Sequence, residues 1–184
     1  MSTLHLTNSF VLPEVGTARR RLRVGNHRHR AAAMQELVLP DEVEWLASDV
    51  LSMSCFTGWN MAESLAMRLR QLGMRYLEQP DGTGLWRSPK ATLMKRAGDC
   101  DDMALFVASG ILACDMPGYV ALGMRRGRYH ACALGQDEAG WFWLDPSSWA
   151  VTRLPRRPRR FQPAVVFDDT TVETWLGFVP TLAR

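Results

Sequence analysis

The sequence is poor in several things, and each scarcity excludes a class of protein. None of its four cysteines, Cys55, Cys100, Cys114 and Cys132, belongs to a CxxC pair, which removes zinc knuckles and thioredoxin-type redox motifs. No apolar run approaches the roughly 20 residues that span a bilayer, so no membrane association is expected. The opening "MSTLHLTNSFVLPEV" lacks a basic start and a continuous apolar stretch, so a secretory signal is not expected. Lysine is nearly missing: of 22 basic residues, 20 are arginine. Histidine is scarce as well, at four: His5, His27, His29 and His130.

What is present is ordinary for a folded protein. Apolar residues make up 47% and charged residues 22% of 184 positions, enough for one domain with a real core. Without an export signal the thiols are expected to be reduced, in a cytoplasmic or virion-associated setting. Arginine is clustered in "RRRLRVGNHRHR" (19–30) and "RLPRRPRR" (153–160). Such runs suit an acidic protein partner or an anionic surface. Nucleic acid is the less favoured partner, because neither run carries the interleaved aromatics that stack on bases.

Residues 1–35 show no sustained period and read as an extended basic arm. The core is expected at 36–152, followed by a basic extension at 153–184. Asp41 and Glu44 resemble a capping box for a helix with Val43, Leu46, Ala47, Val50 and Leu51 on one face. A second helix fits Trp59 to Leu72, with Ala62, Leu65, Ala66, Leu69 and Leu72 as its stripe and Gly73 at the stop. Glu78 to Pro89 reads as a loop. "MALFVASGILA" is apolar almost all round, which predicts a helix buried on every side. "YVALGM", "RYHACAL" and "WFWLD" then read as short strands separated by turns. Helices followed by an antiparallel sheet make an α+β pattern.

The chemistry concentrates at "AGDCDDMALF". If the buried helix starts at Cys100, Asp99 is its N-cap and Asp102 also serves the cap. The positive helix end lowers a thiol pKa and offers N–H donors to an oxyanion, whereas neighbouring carboxylates raise that pKa. A thiol nucleophile needs a base, and only His130 lies in a regular element. A buried structural histidine is the plain alternative. If "GQDEAG" closes a hairpin centred between Asp137 and Glu138, His130 stands directly opposite Asp145, within reach of a hydrogen bond. The other three cysteines lack a helix N-terminus or a nearby base in this reading and are taken as packing residues, with Cys132 also a candidate for pocket lining.

"GDCDD" opening a buried helix, then "YHACAL", then "WFWLDPS", resembles the transglutaminase-like superfamily, bacterial and phage-encoded members included. The resemblance covers about Pro89 to Ser148, and "RSPKATLMKRAGDCDD" is similar to the approach to the cysteine in those members. It implies a papain-like core with Cys100 as nucleophile, His130 as general base and Asp145 as orienting carboxylate. A cysteine protease or amidase acting on a peptide or isopeptide amide is implied, or an acyltransferase if an amine replaces water. No cofactor is required. Calcium at Asp99, Asp101 and Asp102 is a secondary possibility to helix capping. The sequence departs from many members after the histidine, where Ala131 and Cys132 replace an H-x-W pattern. Trp86, Gln71 and Gln79 are candidates for a second oxyanion donor. The rival readings are a virion structural or docking protein that keeps the fold, and an Arg-rich nucleic-acid binder.

Overall fold

A computed structural model describes residues 27–78 and 86–178. Helix α5 (Cys100–Ala113) is the central element, buried from Cys100 to Ile111. Its all-round apolar surface requires cover on every side. One side packs on a six-stranded antiparallel sheet, and the others meet α2 (Trp45–Thr57), α4 (Pro89–Lys95) and a 3-10 turn at Pro40–Val43. Helix α3 (Met61–Gln71) packs on α2 and reaches the sheet. Two apolar clusters fill this layer, one around Phe106 and Phe142, the other around Ala104 and Val120.

The sheet runs β6-β5-β4-β3-β7-β8, with β3 (Gly118–Arg125), β4 (Arg128–Asp137), β5 (Gly140–Asp145), β6 (Ala150–Arg153), β7 (Phe161–Phe167) and β8 (Val172–Thr174). Its far face carries a third cluster, in which Trp143, Cys132 and Phe161 are covered by Trp175 and Phe178 of α6 (Trp175–Phe178). A separate two-stranded parallel pair joins β1 (Arg75–Tyr76) to β2 (Ala97–Gly98), immediately before α5.

Several expectations need correction. The capping box at Asp41 and Glu44 does not form; Glu42 instead accepts from the Lys90 N–H at 2.8 Å. The cap of α3 is Asn60, whose side chain accepts from the Glu63 N–H at 3.0 Å. Helix α4 lies in a stretch without a visible period, because two turns are too few to show one. Its signals are the Ser88 cap and Pro89 in the first turn.

The expected extended arm is helical over its last part. Helix α1 (His27–Gln35) buries Ala31 and Met34 against the β7 side of the core, while residues 1–26 lie outside the described residues. The expected basic extension after residue 152 supplies β7, which pairs with β3, and β8. Pro163 argues against a strand in "FQPAVVF", but it stands opposite Gly123 where the β3–β7 register shifts, a place that tolerates a missing N–H. Arg153 is likewise no docking residue. Its guanidinium grips Asp137 at 2.5 and 2.9 Å, and Asp137 also accepts from the Ala62 N–H at 3.1 Å.

Candidate active site

Asp99 has extended backbone and caps α5, accepting from the Asp101 and Asp102 N–H groups at 3.0 and 3.2 Å. Cys100 is therefore the first helical residue, as expected, and it is buried. The β1–β2 pair carries Tyr76 beside it, and the Tyr76 hydroxyl hydrogen-bonds the Cys100 sulfur. The backbone N–H of Ala131 donates to the same sulfur. The thiol also lies 3.7 Å from Asp101 Oδ1.

The flanking carboxylates are held by specific donors. Asp101 takes an ion pair from Arg30 and accepts from Trp86 Nε1 at 3.1 Å. Arg30 lies 3.8 Å over the Tyr129 ring and 5.3 Å from the Trp86 ring. Asp102 is paired with the Arg87 guanidinium and accepts from the Arg87 N–H at 2.8 Å. These contacts decide the balance that sequence left open. Burial, Asp101 and Asp99 push the Cys100 thiol well above its ordinary value; the Ala131 N–H and Arg30 pull down but do not prevail. Asp99 itself is raised to about 7 by burial and by Asp101 and Asp102, against the helix N–H groups it serves.

His130 and Asp145 come together, but not through the expected register. The hairpin closes one residue later, with Asp137 paired to Gly140 and Ala133 to Leu144. Gly140 has φ of 102°, which suits glycine in so short a turn. Asp145 thus comes level with Cys132 rather than His130. The change moves the partner by two positions, and the side-chain period is two, so Asp145 stays on the His130 face as a diagonal neighbour. His130 Nε2 lies 3.4 Å from Asp145 Oδ1. Asp145 also accepts from the Ser147 N–H at 3.0 Å and the Ser147 hydroxyl at 2.7 Å. Burial raises Asp145, but the His130 and Ser147 hydrogen bonds prevail and hold it at about 2.

Arg125 NH1 completes this group, 2.8 Å from Asp145 Oδ2, 2.9 Å from Ser147 Oγ and 3.3 Å from His130 Nε2. A guanidinium only donates and a carboxylate only accepts, so Nε2 cannot serve both partners. With Nε2–H directed at Asp145, the ring is anchored to the carboxylate. The expected Cys100–His130–Asp145 set is not assembled: Cys100 packs with Ala131 on the sheet face that α5 covers, whereas His130, two residues from Cys132, lies with Asp145 on the opposite face, its ring against Phe161.

Of the candidate oxyanion donors, Trp86 is committed to Asp101, Gln71 is exposed at the end of α3, and Gln79 lies outside the described residues. Arg30, Tyr76, Arg125 and Ser147 were not identified from sequence. Cys55 is exposed, Cys114 is raised to about 11 by burial and by Asp115, and Cys132 is buried beside Asp145.

No protein-family model matches the chain, and no curated protein matches it in sequence. Solved structures do. LapG of Legionella pneumophila, EGTA-treated, is 18% identical with a TM-score of 0.50, over 76% of this chain and 87% of LapG. A candidate protease from Parabacteroides distasonis is 9% identical at 0.50, over 80% of this chain and 30% of that one. A candidate cysteine protease from Cytophaga hutchinsonii is 14% identical at 0.49, over 78% and 53%. The chain thus spans about half of the Cytophaga protein and under a third of the Parabacteroides protein. The likeness is one of fold, α+β with helices packed on an antiparallel sheet.

Calcium does not fit the three carboxylates. Asp99 is occupied by helix N–H groups, Asp101 by Arg30 and Trp86, and Asp102 by Arg87. A cation there would have to displace two guanidinium groups. Among the described residues, the only group of three potential ligands that converges is His130, Cys132 and Asp145.

Proposed function

We propose that the protein is a thiol-dependent hydrolase of peptide amide bonds with Cys100 as nucleophile; His130 and Asp145, paired on the opposite face of the sheet, are not given the base and orienting roles that the resemblance implies. The observation that carries this reading is the place of Cys100 as the first residue of the buried helix α5, capped by Asp99. The name of the Parabacteroides neighbour, a candidate protease, agrees with it.

The raised thiol pKa shapes the mechanism. The thiol is protonated at rest, so its proton leaves as the sulfur attacks the carbonyl and passes through solvent to the leaving amine. The tetrahedral oxyanion lies against the Cys100 N–H at the start of α5, because the next N–H groups serve the Asp99 cap. Water then cleaves the acyl-enzyme and returns a proton to the sulfur.

A thiol-directed, mechanism-based acyl probe tests the proposal. Wild-type protein should label at Cys100, and Cys100→Ser should not. Equal labelling of wild type and Cys100→Ser would overturn the assignment.

A further inference from the structure

We propose that His130, Cys132 and Asp145 form a site for a zinc-type divalent cation, which Arg125 keeps closed in the resting molecule. The three residues are buried, and one ligand atom from each lies within 4.8 Å of the others. The backbone makes this convergence. His130 and Cys132 are two apart on β4 and share a face, and Asp145 follows Leu144, the partner of Ala133, so it arrives level with Cys132.

The geometry suits zinc closely. The Nε2–Oδ1 separation of 3.4 Å equals the edge of a tetrahedron whose metal–ligand bonds are about 2.1 Å. The sulfur must close by about 1 Å at most to complete the three-ligand face, given zinc–sulfur bonds of about 2.3 Å. Thiolate, imidazole and carboxylate together favour zinc over calcium or magnesium. Ser147 supplies the outer contacts that fix the carboxylate.

Arg125 NH1 already sits as a cation against Asp145 and His130 Nε2. Its side chain is 26% exposed, so it has a path outward. The exchange is neutral within the site. Before it, Arg125 balances Asp145 and Cys132 is an uncharged thiol. After it, the dication balances Asp145 and the Cys132 thiolate, whose proton leaves to solvent.

The full chain, free of added metal, should be titrated with Co²⁺ and with Zn²⁺ against a chromophoric chelator. One equivalent of Co²⁺ should give a thiolate-to-cobalt charge-transfer band that survives Cys100→Ala and disappears in Cys132→Ser. Zinc affinity should fall about tenfold or more in Cys132→Ser, a loss typical of a disrupted metal site, and rise in Arg125→Met. Should Cys132→Ser fail to fold, the Cys100→Ala spectrum and the Arg125→Met affinity decide alone. A band lost in Cys100→Ala, no thiolate band at saturation, or unchanged zinc affinity in Arg125→Met would overturn the proposal. A chain that binds cobalt through Cys132 yet takes no acyl probe at Cys100 would leave the metal site standing and remove the hydrolase reading.

Discussion

Arg30→Met isolates the contact that ties α1 to the start of α5. The substitution keeps an unbranched apolar stem and removes the cation. Asp101 is then a buried carboxylate, its side chain 3% exposed, left with Trp86 Nε1 and the weak thiol contact. Removing one member of a fully buried pair costs about 3–5 kcal/mol; Arg30 is 28% exposed, so water screens part of this and about 2–3 kcal/mol is expected. Losing the guanidinium over Tyr129 adds about 0.5–1 kcal/mol. The total of about 3 kcal/mol corresponds to a fall in Tm of about 6–12 °C for a chain of this size. Thermal unfolding of wild type, Arg30→Met, Asp101→Asn and the double variant closes a double-mutant cycle. A coupling of about 2 kcal/mol is expected from the pair. A loss below about 0.5 kcal/mol in Arg30→Met, or a coupling near zero, would refute this account. It would also restore α1 to the dispensable arm that its composition suggests.

Other predictions probe the carboxylates and the sheet. Asp145 is held at about 2 against an ordinary 3.8; a lowered carboxyl stabilises the fold above its unfolded value and ceases to as pH falls through the folded one. Asp145→Asn should therefore flatten the acid limb of stability between about pH 4 and 2, and an unchanged limb in denaturant titrations at constant salt contradicts the assignment. A Cβ on Gly123 would lie 2.1 Å from the Gln162 carbonyl oxygen and 2.8 Å from Pro163 Cα. Backbone cannot rotate aside, so Gly123→Ala should cost about 3 kcal/mol or more in urea unfolding, and a cost below about 1 kcal/mol would mean the strands separate freely. Millimolar calcium or EGTA should move the Tm by no more than about 1 °C, since a ligand stabilises only through a site it can occupy. A rise of several degrees with calcium would show that Asp99, Asp101 and Asp102 yield their donors.

The parts of the site legible in the sequence were those with a strong local signal. A run apolar on every side fixed α5, and a polar residue before it fixed the cap and hence the place of Cys100. The His130–Asp145 contact was found despite a hairpin placed one residue early, because a two-position change of partner preserves the face. Long-range partners left no such trace. Tyr76 lies on a two-residue strand, too short for any period. Arg30 belongs to a helix that buries only two apolar side chains amid a basic run, so its composition suggests a solvated arm. Arg125 lies at a strand end beside "RRG", where a charged residue looks like part of a turn. What places each of them is tertiary: the β1–β2 pairing, the packing of α1 against the core, and the end of β5 beside β4, within reach of Arg125 on β3.

The same partners settle what three carboxylates do around one thiol. They are not free to activate it. Two are neutralised by arginines and the third by the helix, yet burial and the residual field of Asp101 and Asp99 still keep the sulfur protonated. A protonated thiol is a poor target for simple alkylating agents, which react with thiolates. Cys55 is exposed and Cys100 buried, so brief iodoacetamide treatment should mark Cys55 before Cys100. That order says nothing against catalysis. In the proposed reaction the proton of Cys100 leaves only when a carbonyl is in place to receive the sulfur, and only a reagent carrying such a carbonyl recreates that state. Faster labelling of Cys100 than of Cys55 by iodoacetamide, read by peptide mass mapping, would instead reveal a standing thiolate and overturn the protonated resting state.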